Sequence, residues 1–540
     1  MRTINIRDYA GRDAREQIAA ALEDARRNPG TAVVIPAGEY VISTPLARKT
    51  RDEVIEGLHG ENPENDMFSP DFTFDVGLSL EGHKGTTLRA QGARLMIDGF
   101  MEPVCLKHCS DIRVEGLTID HVRKPYSRGV IECYAVEDEQ ARTGHMIVRF
   151  DEAFPVTANT IMPRYCAYDA QTGRFNMDLR VLRDEEDRPR REYLGDQRVR
   201  FAVGCMPERD LQGQMFYVWH SFHYRPAILI EEAKRVVLKD VTIHSQPGMG
   251  IVGHRSEDIL LDGLAVVPSE SEHLSTNTDA THFTSCKGEL RFEGCRFDGH
   301  GDDATNVHTF YHDIELISPR TYRGSVGVRT HSLTLDHPDV GDEMELTAKD
   351  SLALIDTYRV SALTIAQDGR SYTATLDHDL PADAAQRCYL SDVTRLPRLI
   401  FRNCTTNNHW ARSVLIKTRH ALVEGCTFTG STLVAVHIAA EGWWHEGVAC
   451  ADVTVRGNRF INCGITGHAE VGGVKAEMAV DYRVGTPQRG LVIEGNTFEL
   501  PEVKHAVHVS NARDVRVTGN DFGAMAEPVE IVDCENVRVC

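Results

Sequence analysis

Residues 279–283 have the sequence DATHF and residues 303–307 have the sequence DATNV, so nearly the same segment returns 24 residues later. A repeat of about 20–30 residues built from β-type segments is typical of a parallel β-solenoid, in which each repeat forms one coil that rests on its neighbour. Neighbouring coils lie about 4.8 Å apart. Equal positions of successive coils are therefore expected to form columns along the axis.

The repeat predicts a column of acidic side chains. Asp279 should lie against Asp303, with Asp302 beside it, and His282 should lie against Asn306. Carboxylates that crowd together raise the pKa of at least one member, and a carboxyl with a shifted pKa in a groove is a candidate general acid or base. We therefore predict that Asp279, Asp302 and Asp303 are catalytic.

Two structural explanations of this column remain open. The aspartates could bind calcium, or they could cap the backbone at the turns of the coils. The polar residues expected nearby favour a sugar ligand, because they offer mixed donors and acceptors where a calcium site would offer carboxylates. These candidate substrate-binding residues are His254, His282, Asn306 and His308.

Length and charge narrow the class of protein. A chain of 540 residues is long for one compact core but ordinary for a solenoid, which grows along one axis. The net charge of -21 argues against binding to nucleic acid. No apolar run approaches the roughly 20 residues needed to span a membrane, and the N-terminus lacks the layout of a secretory signal. We expect a cytoplasmic protein, or an exported one whose signal has been removed.

Several cysteines and asparagines recur at equal positions of the coils and are predicted to be structural. The thiols would form a buried column, consistent with a reducing compartment, and the amides would stack at a corner. The cysteines are Cys295, Cys404 and Cys426, and the asparagines are Asn458, Asn496 and Asn520. Since no CxxC pair occurs, a zinc site is not expected. No other metal and no cofactor is predicted.

The strand patterns divide the chain into coils and two excursions, with residues 46–75 expected to form a loop. The predicted divisions are an N-terminal cap with a short helix at 1–45, first coils at 46–120, an inserted β-domain at 121–230, coils carrying the aspartates at 231–309, a second inserted β-domain at 310–395 and C-terminal coils at 396–540. The alternation of the inserted strands favours antiparallel, barrel-like domains. Because both excursions leave the solenoid beside the column, they should wall a pocket.

Residues of the later coils extend the predicted site. Arg412 falls in the column of Asp303, where it could bind sugar hydroxyls or form a purely structural ion pair. Trp443 and Trp444 could stack on the apolar face of a sugar or pack against an inserted domain. Glu441 could bind hydroxyls or supply the proton.

Four motifs of this region resemble a known family. They are TDATHF at 278–283, GDDATNVH at 301–308, NHWAR at 408–412 and GWWHEG at 442–447, and together they resemble the active-site pattern and later landmarks of glycoside hydrolase family 110. The resemblance covers the coils from about 235 to 465 and hardly extends to the insertions. It implies an all-β fold, a right-handed parallel β-helix with β-barrel insertions, which agrees with the predicted layout.

The resemblance also implies an activity. Family members are inverting exo-α-galactosidases that act on α-1,3-linked galactose at non-reducing ends. Their key aspartates correspond to Asp279, Asp302 and Asp303. Their glutamate beyond the aspartate pair has no assigned counterpart here, although Glu343 and Glu345 lie in the corresponding region.

The sequence therefore predicts an inverting exo-glycoside hydrolase that releases terminal α-linked galactose. An inverting pair usually stands about 6.5–9.5 Å apart, whereas stacked coils bring the aspartates closer. Two aspartates are therefore expected to act together on the water, with the third aspartate or a nearby glutamate as the acid. The alternatives are a polysaccharide lyase, another α-glycosidase of the β-helix superfamily, or a non-catalytic glycan-binding β-helix. The expected partner is a carbohydrate with an α-galactosyl end, without nucleic acid or membrane, and a homodimer remains an option.

Overall fold

The structure is a computed structural model that describes residues 2–69, 71–176, 179–184, 188–206, 210–326, 332–466 and 469–540. Its fold is a parallel β-helix. In the described residues, successive coils contribute strands to parallel sheets that we call A, B and C, which run along the axis. This architecture, with a cap and two inserted antiparallel units, confirms the predicted all-β fold class.

The three sheets contain the following strands. Sheet A contains Arg2–Asn5, Thr31–Val34, Thr87–Arg89, Ser110–Glu115, Lys234–Lys239, Glu257–Asp262, Lys287–Glu293, Arg398–Arg402, Arg419–Glu424, Ala451–Arg456, Gln488–Glu494, Ala512–Thr518 and Glu535–Val539. Sheet B contains Gly38–Ser43, Ala93–Asp98, Thr118–His121, Thr242–Ile243, Ala265–Val266, Arg296–Asp298, Thr405–His409, Thr427–Ser431, Arg459–Ile461 and Thr497–Glu499. Sheet C contains Val76–Ser79, Glu102–Lys107, Ile228–Glu231, Ile251–His254, Thr281–Thr284, Thr305–Phe310, Val414–Ile416, Val436–Glu441, Val471–Ala479, His505–Ser510 and Val529–Val532, with Glu446–Gly447 paired to two of them.

A helical cap covers the N-terminal end of the coils. The helix Ala14–Arg27 begins where the Asp13 side chain accepts a hydrogen bond from the backbone of Glu16, and it buries Ile18 and Leu22 on the first coils. The prediction of a loop at 46–75 is wrong in part. The helices Pro45–Ile55 and Glu64–Met67 lie there, and the first has Pro45 in its first turn, where a missing N–H costs nothing.

Two antiparallel units interrupt the coils. The first contains the strands Tyr126–Asp138, Thr143–Phe150, Arg164–Asp169, Arg174–Asn176, Arg180–Val181, Arg191–Gly195, Arg198–Cys205 and Met215–Trp219, which form one sheet. The second is a closed barrel of His312–Ser318, Thr321–Val326, Glu343–Ala348, Leu354–Ile365, Tyr372–Leu376 and Cys388–Asp392, with the short helix Ala384–Arg387 beside it. We call them the inserted sheet and the inserted barrel. Each has its own hydrophobic core.

The interior of the β-helix is built from columns of like side chains. Phenyl rings stack coil upon coil at Phe401, Phe428, Phe460, Phe498 and Phe522, with centroids 4.7 to 6.3 Å apart. The predicted amide column is also present, because Asn458 Nδ2 donates to Asn496 Oδ1 and Asn496 Nδ2 donates to Asn520 Oδ1, each at 2.9 Å. The thiols of Cys295, Cys404 and Cys426 are buried as expected. None of the helices in the described part of the chain has the length and apolarity that crossing a bilayer requires.

Candidate active site

The predicted column is formed on sheet C. His282 pairs with Asn306 in register between Thr281–Thr284 and Thr305–Phe310. The backbone N–H of Ala280 donates to the carbonyl of Asp303, and that of Ala304 donates to the carbonyl of Arg412. Asp279, Asp303 and Arg412 therefore occupy equal positions of three successive coils, each just before a strand of sheet C.

Asp302 reaches the same place although it is the sequence neighbour of Asp303. It lies in a bend between strands, so the alternation of side chains along a strand does not apply to it. The bend depends on Gly301, where a Cβ atom would come within 2.1 Å of the Asn277 carbonyl on the preceding coil. One oxygen from each of the carboxyls of Asp279, Asp302 and Asp303 lies within 4.8 Å of the others.

Arg412 neutralises one member of this cluster. Its backbone N–H and its Nε both donate to Asp303 Oδ1 at 2.9 Å, and its Nη2 donates to Oδ2 at 3.0 Å. This charge-assisted fork holds both carboxylate oxygens of Asp303. The pKa of Arg412 is raised, because the nearby carboxylates of Asp303 and Glu441 outweigh the opposite effect of burial. Asp303 is therefore the ionised carboxylate of the cluster.

The other two aspartates favour the protonated form. Burial raises the pKa of Asp279 well above its usual range, and the charge of Asp303 adds to this effect. Burial likewise raises the pKa of Asp302, helped by Asp303 and Asp279. Within the described residues the Asp302 carboxyl makes no hydrogen bond to the protein, whereas Asp279 Oδ2 lies 2.7 Å from Nδ1 of His282.

A buried basic side chain lies under the cavity floor. Lys417 pairs with Glu441 at 2.6 Å and forms a short ion pair with Glu446. Burial acts to raise the pKa values of both glutamates, but Lys417, Arg412 and the neighbouring histidines lower them. Both glutamates are therefore ionised, so the expectation that Glu441 could supply a proton is not supported by its surroundings.

These residues line a cavity of about 810 Å³. One wall comes from the cap side and the inserted sheet, and the other from the residues that follow Val436–Glu441. The first wall includes Phe68, Arg164, Phe222 and His223, with the Arg164 guanidinium stacked 3.4 Å over the ring of Phe222. The second wall includes Phe310, Trp444 and Glu446. A volume of this size suits one or two sugar rings.

Nine of the predicted site residues line this cavity, namely Asp279, His282, Asp302, Asp303, Asn306, His308, Arg412, Glu441 and Trp444. Trp443 is as exposed as Trp444, at 63%, but lies outside the lining. The prediction that His254 belongs to the substrate-binding residues is corrected by its position. Its ring is fully buried between Ser332, at 2.6 Å, and Asp336, at 3.0 Å, so it joins the coils to the inserted barrel instead of facing the cavity.

Sequence reasoning missed several lining residues. Glu446 lies within the GWWHEG motif, but the motif alone did not indicate a function for it. Arg164, Phe222, His223 and Phe68 come from segments without coil periodicity, and no sequence signal marks them. Glu345, left unassigned, pairs with Arg419 at 2.8 Å and does not line the cavity.

Among the residues that the structure describes, two groups of side chains are spaced closely enough to hold a metal ion, namely the three aspartates, and His282 with His308 and Glu446. Each group already includes a basic partner, since Arg412 binds Asp303 and Lys417 binds Glu446. A divalent cation in either group would lie beside a buried positive charge, which disfavours metal binding there. We assign no metal to either group.

The chain is similar to curated proteins over most of its length. It is 25% identical over 511 residues to alpha-1,3-galactosidase A of Bacteroides fragilis, covering 91% of this chain and 81% of that protein. It is 22% identical to alpha-1,3-galactosidase A of Shewanella woodyi, covering 96% and 89%, and 25% identical to alpha-1,3-galactosidase B of Bacteroides fragilis, covering 92% and 86%. The resemblance expected from the motifs is thereby confirmed for proteins of this name.

Comparisons with family models and with solved structures give less information about this chain. No family model matches the chain. Among solved structures, the A-module of mannuronan C-5 epimerase AlgE6 from Azotobacter vinelandii aligns with a TM-score of 0.37, 11% identity and 99% of both chains. An exopolygalacturonase from Thermotoga maritima aligns with a TM-score of 0.33, 9% identity, 99% of this chain and 92% of its own. Similarity at this level says nothing about activity.

Proposed function

We propose that this protein is an inverting exo-glycoside hydrolase that releases terminal α-1,3-linked galactose. The observation that carries the proposal is the meeting of three carboxyls from adjacent coils at the floor of one walled cavity, where Asp303 is the member of the three that Arg412 binds. The similarity to proteins named alpha-1,3-galactosidase supports the choice of sugar and linkage.

Asp302 is proposed as the general acid. Burial and the neighbouring carboxylates raise its pKa, which favours the protonated form that a general acid needs. Among the described residues no protein group binds its carboxyl, which leaves the O–H free to donate to the glycosidic oxygen. The glutamates of the opposite wall are poor candidates because Lys417 keeps them ionised.

Asp303 and Asp279 are proposed to act on the same water. Asp303 is ionised beside Arg412 and takes the proton as general base. Asp279 lies at the equal position of the preceding coil and accepts the second hydrogen of the water, which fixes the angle of attack. The oxygen of the water bonds to the anomeric carbon. At the same time the bond between that carbon and the glycosidic oxygen breaks, and the glycosidic oxygen takes the proton of Asp302.

The inverting assignment rests on hydrogen bonding rather than on spacing. Carboxyl oxygens within 4.8 Å are nearer to the roughly 5–5.5 Å of retaining pairs than to the roughly 6.5–9.5 Å of inverting ones. A retaining enzyme, however, needs one carboxylate free to attack carbon. Asp303 has both oxygens bound by Arg412, and Asp279 is bound by His282. Such carboxylates are better placed to hold a water than to form a covalent bond.

The walls of the cavity support exo action. The inserted sheet contributes Arg164 and the segment after it contributes Phe222 to one side, and Trp444 stands on the other. Walls on both sides favour entry of a chain end over a long glycan that lies across the floor. The exposed Trp444 indole offers a face for the apolar side of galactose.

The decisive experiment is proton NMR of galactose release from an α-1,3-linked galactobioside. We expect β-galactose to appear first, followed by mutarotation to the α anomer. If α-galactose appeared first, the enzyme would be retaining and the inverting assignment would be wrong. A product that absorbs in the ultraviolet would favour the lyase alternative, and binding without turnover in calorimetry would favour a glycan-binding module.

The acid and base roles are separated by leaving-group dependence. Asp302→Asn should lower kcat/KM on the galactobioside by about 10²–10⁴-fold, and by much less on a dinitrophenyl α-galactoside, whose leaving group needs no proton. Asp303→Asn should impair both substrates alike. Equal losses in both variants on both substrates would reject the assignment of Asp302.

A further inference from the structure

Two buried histidines extend the aspartate cluster into a hydrogen-bonded chain. His282 Nδ1 lies 2.7 Å from Asp279 Oδ2, and His282 Nε2 lies 2.9 Å from His308 Nε2. His308 Nδ1 in turn lies 2.9 Å from the backbone carbonyl of Thr309. All three residues are at most 4% exposed, so solvent has little access to these contacts.

The donors and acceptors of this chain can be assigned from its closed end. A backbone carbonyl can only accept, so His308 Nδ1 carries a hydrogen and the Nε2 of a neutral His308 is an acceptor. His282 Nε2 must then be the donor across the 2.9 Å contact. A neutral His282 with its hydrogen on Nε2 has a lone pair on Nδ1, and that lone pair faces Asp279 Oδ2 at 2.7 Å. A carboxylate oxygen and a nitrogen lone pair at this distance repel each other unless a proton lies between them.

We propose that His282 and His308 are positioning residues that keep Asp279 protonated on Oδ2 during catalysis, so that Asp303 is the single ionised member of the aspartate cluster. This inference rests on the proposed function and deepens its mechanism. The second Asp279 oxygen then behaves as a carbonyl acceptor that orients the attacking water, while Asp303 alone takes the proton. Crowding of the three carboxyls costs little when only one of them is charged.

Burial selects this arrangement over charge-separated ones. An imidazolium at either histidine would satisfy the same contacts, with the proton moved from Asp279 to a ring. Burial, however, lowers the pKa of His282 to about 4 and that of His308 to about 3, whereas it raises the pKa of Asp279. The proton therefore stays on the carboxyl.

The groups that face this chain act in opposite directions and do not change the outcome. Glu446 approaches His308 Nε2 at 3.7 Å and favours a charged ring, whereas Lys417, which forms a short ion pair with Glu446, opposes this effect. Asp303 acts in the same direction as Glu446, and Arg412 compensates it. Asp302, which also neighbours Asp279, is itself proposed to be neutral.

The first test observes the proton positions directly. Nitrogen-15 NMR of the histidine side chains distinguishes a protonated from an unprotonated ring nitrogen, and the His282 signals are identified by their loss in His282→Gln. We expect a neutral His282 with hydrogen on Nε2 and none on Nδ1 across the active pH range. Hydrogen on Nδ1, alone or in an imidazolium, would overturn the proposal. This measurement needs no turnover, so it remains decisive if the protein proves inactive on α-galactosides.

The second test uses the pH profile of His308→Phe. Loss of the acceptor frees His282 to place its hydrogen on Nδ1 and donate to Asp279, which then ionises. The new charge beside Asp302 raises the pKa of this proposed general acid, so the basic limb of the kcat/KM profile should move up by about one pH unit.

The matched control is His83→Phe, a buried histidine of the cap side that hydrogen-bonds Thr86. It should alter thermal stability without moving either limb. A fall in rate for His308→Phe with unmoved limbs would mean that His308 is merely structural. If wild-type protein releases no galactose, the proposed function fails, whereas the NMR result still decides the proton position.

Discussion

At the scale of single residues, the site depends on one compensated charge. Asp303 is buried, and three hydrogen bonds from Arg412 offset the cost of removing its charge from water. The pair is worth little compared with two apolar residues, but removal of one partner leaves a buried charge without compensation. Arg412 thus forms the ion pair with Asp303 that the sequence had offered as one alternative, and we propose that the same pair keeps Asp303 ionised for catalysis.

Arg412→Met is expected to lower the melting temperature and to reduce kcat/KM by at least about 100-fold. The unfolding cost should be about 3–5 kcal/mol, the usual penalty for breaking a buried pair. The double variant Arg412→Met with Asp303→Asn should recover much of the stability and none of the activity, as measured by calorimetry and galactose release. Arg419→Met, which breaks the Glu345 pair outside the cavity, is the control. Absence of recovery in the double variant would argue against the charge as the cause.

At the scale of elements, the columns inside the coils carry stability and the inserted sheet carries part of the site. Asn496 illustrates the first role, since its Oδ1 accepts from the backbone N–H and the Nδ2 of Asn458, while its Nδ2 donates to Asn520 and to the Val455 carbonyl. A corner of the coil is therefore held by side chains where no ladder bond is available.

Asn496→Ala should destabilise the β-helix without affecting catalysis. Each buried group left without a partner costs about 1–3 kcal/mol, so a clear fall in melting temperature is expected at unchanged kcat. Asn536→Ala, which removes an exposed amide bound to Asp514, should change neither. A loss of kcat in the folded Asn496→Ala protein would contradict the separation of column and site.

The inserted sheet places the positive charge of Arg164 near Asp302, the proposed general acid. Arg164, at the start of Arg164–Asp169, lies in the cavity wall and lowers the pKa of Asp302, which burial and the other aspartates raise. Removal of this positive charge in Arg164→Met should raise the pKa of Asp302 further. A general acid works while protonated, so the basic limb of the pH profile should move to higher pH. Arg191→Met removes another arginine of the inserted sheet, one that pairs with Glu61 outside the sheet, and should leave that limb unmoved. A downward shift in Arg164→Met would refute the argument.

At the scale of the whole molecule, the inserted barrel is fastened to the coils by a buried network. Asp336 accepts from His254 at 3.0 Å and from His312 at 2.8 Å, and Tyr372 and Ser332 bind the remaining nitrogens of the two rings. Burial acts to raise the pKa of Asp336, but the two histidine hydrogen bonds lower it well below its usual range.

Asp336→Asn should loosen the barrel from the coils in a pH-dependent way. A carboxyl whose pKa is depressed in the folded state stabilises it fully above the unfolded pKa, and this stability is lost as pH falls towards the folded value. The melting temperature of the wild type should exceed that of the variant near neutral pH, and the gap should shrink below about pH 4. Asp313→Asn, on the barrel surface beside Lys349, is the control. A gap that does not depend on pH would rule out this linkage.

Much of the site was accessible to sequence reasoning because coil stacking is repetitive. Once the period around Asp279 and Asp303 is recognised, counting along the chain predicts which side chains become neighbours. Arg412 follows when the coil after the second insertion is aligned with the Asp303 coil by Cys404 and Cys295. His254 escaped this logic. It lies on the coil before His282 and on the same face of the strand, but two positions further along, where the inserted barrel covers it.

The sequence by itself determined the parallel β-helix, its inner columns and the meeting of three aspartates, because stacked coils place equal positions side by side whatever surrounds them. Only the tertiary structure decided how the site is closed and charged. Arg164, Phe222 and Glu446 converge on the cavity from segments that share no period with the aspartates. Proton positions belong to the same level, because they depend on burial and on the partners that folding brings within hydrogen-bonding distance.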